Sequence, residues 1–327
     1  MHELVAHDML PASQLLAADL DGDGISELVA AQNDHVVVVG TDGEVVPLLD
    51  LEEEVVAMRW QEQELFTLFA EEEGTSILVR AGCDDGVARC SETDVTTLPE
   101  HTTAFELVDL DRDGLIDLLT RDHDGLAWSR GESDERWASF ERLAVAPSGY
   151  FSDNGYATSI ATGDIDGDGA IDVATVDEEH GVLVFLGAAA RDDAPLVLGN
   201  PDAWINIDIS DVTGDGIDDL VADQLEHTWV FHRAEGSALE DEVGPTERYP
   251  ARSVIGDFDE APGRDLLLLG ETPPQLAKWM DAQWQLSALH VSEARRGYPS
   301  AVAAADFDGD GRDDFALARP ELSYELP

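Results

Sequence analysis

Asp19-Leu20-Asp21-Gly22-Asp23-Gly24-Ile25-Ser26-Glu27 decides how the rest of this chain is read. In nine residues it sets carboxylates at positions 1, 3, 5 and 9, leaves a main-chain carbonyl at 7, and puts glycine at 4 and 6, where the backbone must reverse sharply. The phrase returns as Asp109-Leu110-Asp111-Arg112-Asp113-Gly114-Leu115-Ile116-Asp117 and as Asp164-Ile165-Asp166-Gly167-Asp168-Gly169-Ala170-Ile171-Asp172. A fourth copy, Asp211-Val212-Thr213-Gly214-Asp215-Gly216-Ile217-Asp218-Asp219, carries threonine at position 3. The fifth is eroded, running Asp257-Phe258-Asp259-Glu260-Ala261-Pro262-Gly263-Arg264-Asp265, and the sixth, Asp306-Phe307-Asp308-Gly309-Asp310-Gly311-Arg312-Asp313-Asp314, is intact.

Successive copies begin 90, 55, 47, 46 and 49 residues apart, so the first step hides a further repeat. It falls near Val55–Trp60 and Leu65–Ala70, within residues 55–100, with the short turn Gln61–Glu64 in place of an acidic loop. Seven repeats in 327 residues is the length of a propeller blade, about 40 to 50 residues. Around each loop short apolar runs alternate with Gly, Asp and Asn turns, as in Gln14–Ala18, Leu28–Ala31, His35–Gly40 and Glu44–Leu49, which predicts four strands per repeat and little helix. The expectation is one all-β domain over 1–327, a seven-bladed β-propeller. A propeller must close its ring to protect its edges. The last repeat supplies Ala301–Ala305, Phe315–Ala318 and Leu322–Glu325 and then stops, so the N-terminal strand Glu3–Ala6 is expected to complete it.

The oxygen-rich loops suit Ca²⁺ better than Mg²⁺, which retains water and demands tighter octahedral geometry. An EF-hand opens similarly but needs a bidentate Glu at position 12, where this chain has Ala30, Thr120, Thr175, Ala222 or Leu317. The alternative, that the Asp-Gly clusters are only hairpin turns, fits five intact copies at blade spacing poorly. The predicted ligands are Asp19, Asp21, Asp23, Ile25 and Glu27; Asp109, Asp111, Asp113, Leu115 and Asp117; Asp164, Asp166, Asp168, Ala170 and Asp172; Asp211, Thr213, Asp215, Ile217 and Asp219; and Asp306, Asp308, Asp310, Arg312 and Asp314, the position-7 residues through their carbonyls. Thr213 weakens the fourth loop. Ala261 and Pro262 are expected to disable the fifth, where Arg264 is placed to neutralise Asp257 and Asp259. Four or five Ca²⁺ ions are predicted.

These loops resemble those of the FG-GAP/VCBS repeat family, the calcium-loop propellers that include the integrin alpha-subunit head. The resemblance covers nearly the whole chain. Gly155-Tyr156 and Gly297-Tyr298 sit where the family often has Phe-Gly-like pairs, in the opposite order. It implies a propeller with structural calcium between the first two strands of a blade, usually extracellular or on the cell surface, used for adhesion or recognition. It also implies that a protein or glycan ligand is taken by the face opposite the calcium loops.

The chain carries 71 Asp+Glu against 18 Lys+Arg, a formal charge of -53, with Lys278 its only lysine. Such a surface repels phosphate backbones and anionic lipid, which argues against nucleic acid and membrane partners. At 43% hydrophobic residues it is nonetheless a folding chain rather than a disordered acidic tail. No run approaches the ~18 apolar residues of a membrane span. Met1–Leu10 has neither the basic nor the apolar region of a signal peptide, so either the chain has none or one precedes this numbering.

Cys83 and Cys90 flank the six residues Asp84–Arg89, and pairing 83 with 90 and 84 with 89 leaves a four-residue hairpin loop; a cross-strand disulfide and two buried thiols are both open, the former implying an oxidising compartment. His2 and His7 stand five apart, one too many for a zincin helix. No catalytic motif appears, so the chain reads as a non-enzymatic binding module, with a lectin or polysaccharide lyase as the alternative. Trp128, Trp137, Phe140, Tyr150, Phe151 and Tyr156 lie among Arg121, Arg130, Arg136 and Arg142. That stretch is either a recognition surface or packing between blades with Arg balancing Glu.

Overall fold

The computed structural model describes residues 12–40, 44–51, 53–70, 74–83, 90–122, 124–132, 137–145, 159–177, 181–187, 195–199, 204–224, 227–233, 239–243, 250–259, 263–270, 274–281, 283–289 and 299–318. Every regular element among them is a β-strand, apart from a single 3₁₀ position. The contacts gather into two compact units. The first takes in residues 1–97, 256–260 and 291–327, the second 98–255 and 261–290.

In the first unit β1 (Gln14–Ala18), β2 (Glu27–Gln32), β3 (His35–Val39) and β4 (Val45–Asp50) form an antiparallel meander in chain order. β5 (Val55–Gln61), β6 (Glu64–Ala70), β7 (Ser76–Cys83) and β8 (Cys90–Leu98) form the next. In the second unit β9 (Ala104–Val108), β10 (Asp117–Asp122), β11 (Gly125–Ser129) and β12 (Glu141–Val145) are followed by β13 (Ile160–Gly163), β14 (Asp172–Asp177), β15 (Gly181–Phe185) and β16 (Leu196–Leu198). Two more meanders complete the set of four-stranded sheets. They are β17 (Trp204–Ser210), β18 (Asp219–Gln224), β19 (Thr228–Arg233) and β20 (Leu239–Val243), then β21 (Pro250–Gly256), β22 (Asp265–Gly270), β23 (Gln275–Met280) and β24 (Gln283–Ala288). β25 (Ala301–Ala305) and β26 (Asp314–Ala318) pair as a two-stranded sheet in the first unit.

The sheets stack through the middle strands, which explains why those strands read as near-continuous apolar runs. Strand period two splits β2 and β3 cleanly. Val29, Ala31, Val36 and Val38 pack toward β5–β8 with Val55, Met58 and Leu65, while Leu28, Ala30, Val37 and Val39 pack toward Ala303, Phe307 and Ala316. The same arrangement joins β9–β12 to β13–β16 through Leu119, Trp128, Ile160 and Val173, and β13–β16 to β17–β20 through Val176, Val184, Ile207 and Phe231. The outer strand β24 is largely exposed, whereas β4 is exposed at three of its six positions and buries Leu48 and Leu49.

Among the described residues six sheets have four strands and one has two, and the sheet that opens at Val55 carries no acidic loop between its first two strands. β5 and β6 are joined by a tight turn in which Glu62 and Gln63 take φ of 49° and 70°, the left-handed geometry of a two-residue hairpin. Cys83 and Cys90 are disulfide-bonded, with Cα atoms 4.1 Å apart at the ends of β7 and β8. The closing strand Glu3–Ala6 and its predicted mate Leu322–Glu325 lie outside the described residues.

Candidate metal centres

Each acidic phrase links the first strand of a sheet to the second. Its second residue is the anchor: Leu20, Leu110, Ile165, Val212, Phe258 and Phe307 are all buried. With position 2 pinned in the core, positions 1 and 3 project from the loop together. The reversal needs left-handed backbone at positions 4 and 6, which Gly22 and Gly24 take at φ of 74° and 90°. In the second loop Arg112 holds the first of these at φ 61° despite its side chain.

Main-chain donors organise the carboxylates. Asp19 Oδ1 accepts the N–H of Gly22 and of Asp23 at 2.7 and 3.1 Å, and its Oδ2 accepts that of Gly24 at 3.0 Å. Asp23 Oδ1 accepts the N–H of Ile25 at 2.8 Å, and Glu27 Oε2 that of Leu20 at 2.8 Å. The bond from position 6 back to position 1 recurs at Gly114, Gly169, Gly216 and Gly311, between 2.7 and 2.9 Å. The bond from position 2 to position 9 recurs at Asp117, Asp172 and Asp219.

One carboxylate oxygen from each of positions 1, 3 and 9 comes within 4.8 Å of the others in four loops: Asp19, Asp21 and Glu27; Asp109, Asp111 and Asp117; Asp164, Asp166 and Asp172; Asp306, Asp308 and Asp314. Position 5 stands outside this close cluster. Asp113, Asp168, Asp215 and Asp310 each turn Oδ1 to the N–H of position 7, at Leu115, Ala170, Ile217 and Arg312. In the fourth loop Thr213 takes the place of the second carboxylate. Its Oγ1 and Asp219 Oδ1 are buried without a well-formed hydrogen bond, as is Asp164 Oδ1 in the third loop. Buried oxygens left without donors are costly, and these three occupy positions 1, 3 and 9, where a cation would be held. The donor set is hard oxygen throughout, and it fits Ca²⁺. In the fifth loop Asp257 and Asp259 are described, whereas Ala261 and Pro262 lie outside the described residues.

The crowded carboxylates carry an electrostatic cost. Burial pushes the Asp172 carboxyl up to about 6, against main-chain donors Gly187 and Ile165, with Asp166 and Asp164 adding repulsion. Asp219 is likewise pushed up to about 6 by burial, opposed by hydrogen bonding from Thr213 and Val212. Glu27 and Asp117 are raised for the same first reason, burial. Asp306 goes the other way: burial raises it, but the N–H groups of Gly311, Gly309, Asp310 and Asp308 together outweigh that and hold it low. A divalent cation would remove the repulsion.

In the basic, aromatic stretch around and after the second loop, the described residues Trp128, Trp137, Arg121, Arg130 and Arg142 make contacts within the protein. Trp128 is buried, Trp137 Nε1 donates to Ile116 O at 3.2 Å, and the Arg130 guanidinium lies 5.3 Å from the centre of the Trp128 ring while pairing with Asp111 at 3.0 Å. Buried Arg121 donates to Val176 O, and Arg142 pairs with Asp122 at 2.7 Å. Arg136, Tyr150, Phe151 and Tyr156 lie outside the described residues, as do Gly155 and Gly297. Two features went unread in the sequence. One is the apolar anchor at position 2, visible as an unbroken Leu/Ile/Val/Phe column once the six phrases are aligned. The other is position 8, considered below.

Residues 109–175 match a family model described as FG-GAP-like repeat, and residues 298–323 match one described as FG-GAP repeat. No curated protein matches. Among solved structures the chain is similar to a lectin of Agrocybe aegerita described as specifically recognising non-reducing terminal N-acetylglucosamine. The two are 14% identical with a TM-score of 0.61, over 93% of this chain and 88% of that one. At that identity the likeness concerns the fold, an all-β, propeller-like succession of antiparallel sheets. Among the described residues no helix is long and apolar enough to cross a membrane.

Proposed function

We infer that this FG-GAP repeat protein is a calcium-stabilised, non-enzymatic recognition module, working outside the cell or at its surface. Its blades number seven and close as one ring through the N-terminal strand. Ca²⁺ occupies the loops opening at Asp19, Asp109, Asp164 and Asp306, and more weakly the one at Asp211, where an uncharged hydroxyl stands in for a carboxylate. The observation that carries this reading is the convergence of positions 1, 3 and 9 in four separate loops. Repeating a repulsive arrangement four times is costly unless an ion repays it. The ions serve folding: they bind only the assembled loops, so their binding free energy adds to stability. The ligand, a protein or a glycan, is taken at the strand ends away from the loops.

A glycan is the more specific reading, favoured by the described sugar recognition of the lectin with the similar fold. A glycan array probed with the calcium-loaded protein and again after chelation tests it, with a lyase absorbance assay on acidic polysaccharides alongside. Binding that needs calcium supports a lectin, and turnover in the absorbance assay overturns the non-enzymatic reading. Silence on the array, with capture of a defined protein from surface material, assigns the module to protein adhesion. Metal analysis finding no calcium after dialysis against it refutes the metal reading.

A further inference from the structure

Position 8 of the loop lies outside the ligand set, yet at two places it reaches across to the preceding loop. Asp218 donates its N–H to Asp164 O at 3.3 Å, and its Oδ2 accepts the Asp164 N–H at 2.9 Å. One residue of the fourth loop thus holds both main-chain polar groups of the residue that opens the third. Asp313 repeats the exchange on Asp257, at 2.7 Å in each direction. Ser26 and Arg264, which also stand at position 8, make the main-chain half of the bond, Ser26 N–H to Asp306 O at 3.0 Å and Arg264 N–H to Asp211 O at 2.9 Å.

A second observation accompanies the first. The residue just before the loop is glycine only at Gly163 and Gly256, the two places reached by a position-8 aspartate; elsewhere it is Ala18, Val108, Ser210 or Ala305. A Cβ on Gly163 would stand 2.8 Å from Asp218 Oδ2 and 2.3 Å from Ile209 Cγ2. On Gly256 it would stand 3.2 Å from Asp313 Oδ2 and 2.6 Å from the Phe258 ring. Glycine clears the space into which the neighbouring loop's carboxylate and side chains close.

The third concerns Asp164 itself. In the loops opening at Asp19, Asp211 and Asp306, Oδ1 of the first residue is braced from within by the N–H groups of positions 4 and 5. Asp164 Oδ1 is buried with no such bond, and its side chain is braced through Oδ2 by Gly169 N–H at 2.7 Å. The bracing that its own loop omits is supplied to its backbone from the next sheet.

We propose that Asp218 is a positioning residue for the calcium site of the preceding loop, orienting the first ligand Asp164 across the boundary between two sheets. The affinity of the third loop is thereby set in part by a residue of the fourth. Asp313 makes the same two-way bond with Asp257, which opens the eroded fifth loop, where no calcium site is proposed. The proposal rests on the calcium reading above. Outer-shell partners that orient a ligand are worth about 10- to 100-fold in metal affinity.

The test is calorimetric titration of the chelator-stripped full chain with Ca²⁺, comparing the wild type with D218A, D218N, D166A and D166A/D218A. D218A is expected to weaken one tight site by about 10- to 100-fold. D218N keeps an oxygen that can accept the Asp164 N–H and is expected to retain most of the affinity. In the D166A background, where the third site is already lost, adding D218A should leave the isotherm unchanged. Should D218A fail to fold, D218S, whose side chain is too short to reach Asp164, takes its place. A D218A isotherm superimposing on the wild type overturns the proposal while leaving the calcium reading intact. So does an equal loss in the D166A background, which would place the effect in the fourth loop. A wild type that takes up no calcium overturns both.

Discussion

Asp219→Asn isolates the electrostatic cost of a loop without disturbing its hydrogen bonds. Asp219 is 1% exposed, and its Oδ2 accepts the N–H groups of Val212 and Thr213 at 2.9 and 2.8 Å. An asparagine can keep both bonds with its carbonyl oxygen and turn its amide toward the place of Oδ1, beside the Thr213 hydroxyl. What changes is the charge. Burial raises this carboxyl from 3.8 to about 6 in the folded protein. The stabilisation associated with its protonated form is therefore complete below pH 3.8 and lost as pH rises through 6. A shift of roughly two pH units corresponds to about 3 kcal/mol at pH 8, an upper figure because the unfolded chain and local relaxation share it. In excess chelator Asp219→Asn should accordingly raise the melting temperature by several degrees at pH 8, and by little at pH 4. With calcium the order reverses, since the variant has lost a ligand and gains less from the ion. Differential scanning fluorimetry across pH 4 to 8, with chelator and with calcium, reads all of this. If the chelated variant melts below the wild type by the same margin at every pH, the geometry of Asp219 rather than its charge governs, and the reasoning is refuted.

Chelation should lower the melting temperature of the wild type, with Ca²⁺ restoring it better than Mg²⁺ at equal concentration; a curve indifferent to chelator in low salt contradicts the metal reading. Metal analysis should find four or five ions, one fewer in Asp166→Ala and an unchanged number in Asp259→Ala; six equally tight sites would show that Ala261 and Pro262 do not disable the fifth loop. Ile165→Ala, at the fully buried anchor of the third loop, should cost about 2 to 5 kcal/mol and weaken calcium at that loop, read by denaturant titration with and without the ion. Reducing the Cys83–Cys90 bridge should cost about 2 to 3 kcal/mol and leave the metal count unchanged, as measured by melting and metal analysis in reductant.

The loops were legible because their chemistry is local. Nine consecutive residues hold every side chain proposed as a ligand, so spacing alone carries much of the geometry, and Asp109, Asp111 and Asp117 come within 4.8 Å of one another. A repeat without an acidic phrase was legible for a similar reason, since the 90 residues between Asp19 and Asp109 leave room for one more set of strands than the other steps do. Trp128 and its arginines were not decidable from sequence. An aromatic between two strands has the same spelling whether it faces solvent or the next sheet, and only the stacking of β9–β12 on β13–β16 buries it.

Position 8 marks the limit most sharply. Asp218 stands beside Asp219 in the sequence and reads as one more acid in an acidic turn, yet its partner Asp164 is 54 residues away. The sequence by itself determined strand periodicity, loop chemistry and the number of repeats to be sought, because each depends on neighbours within one turn or one hairpin. Which carboxylate faces its own loop and which braces the loop before it was decided only by tertiary structure. That choice depends on how closely one sheet settles on the next, and so on Gly163 making room for a side chain from a different repeat.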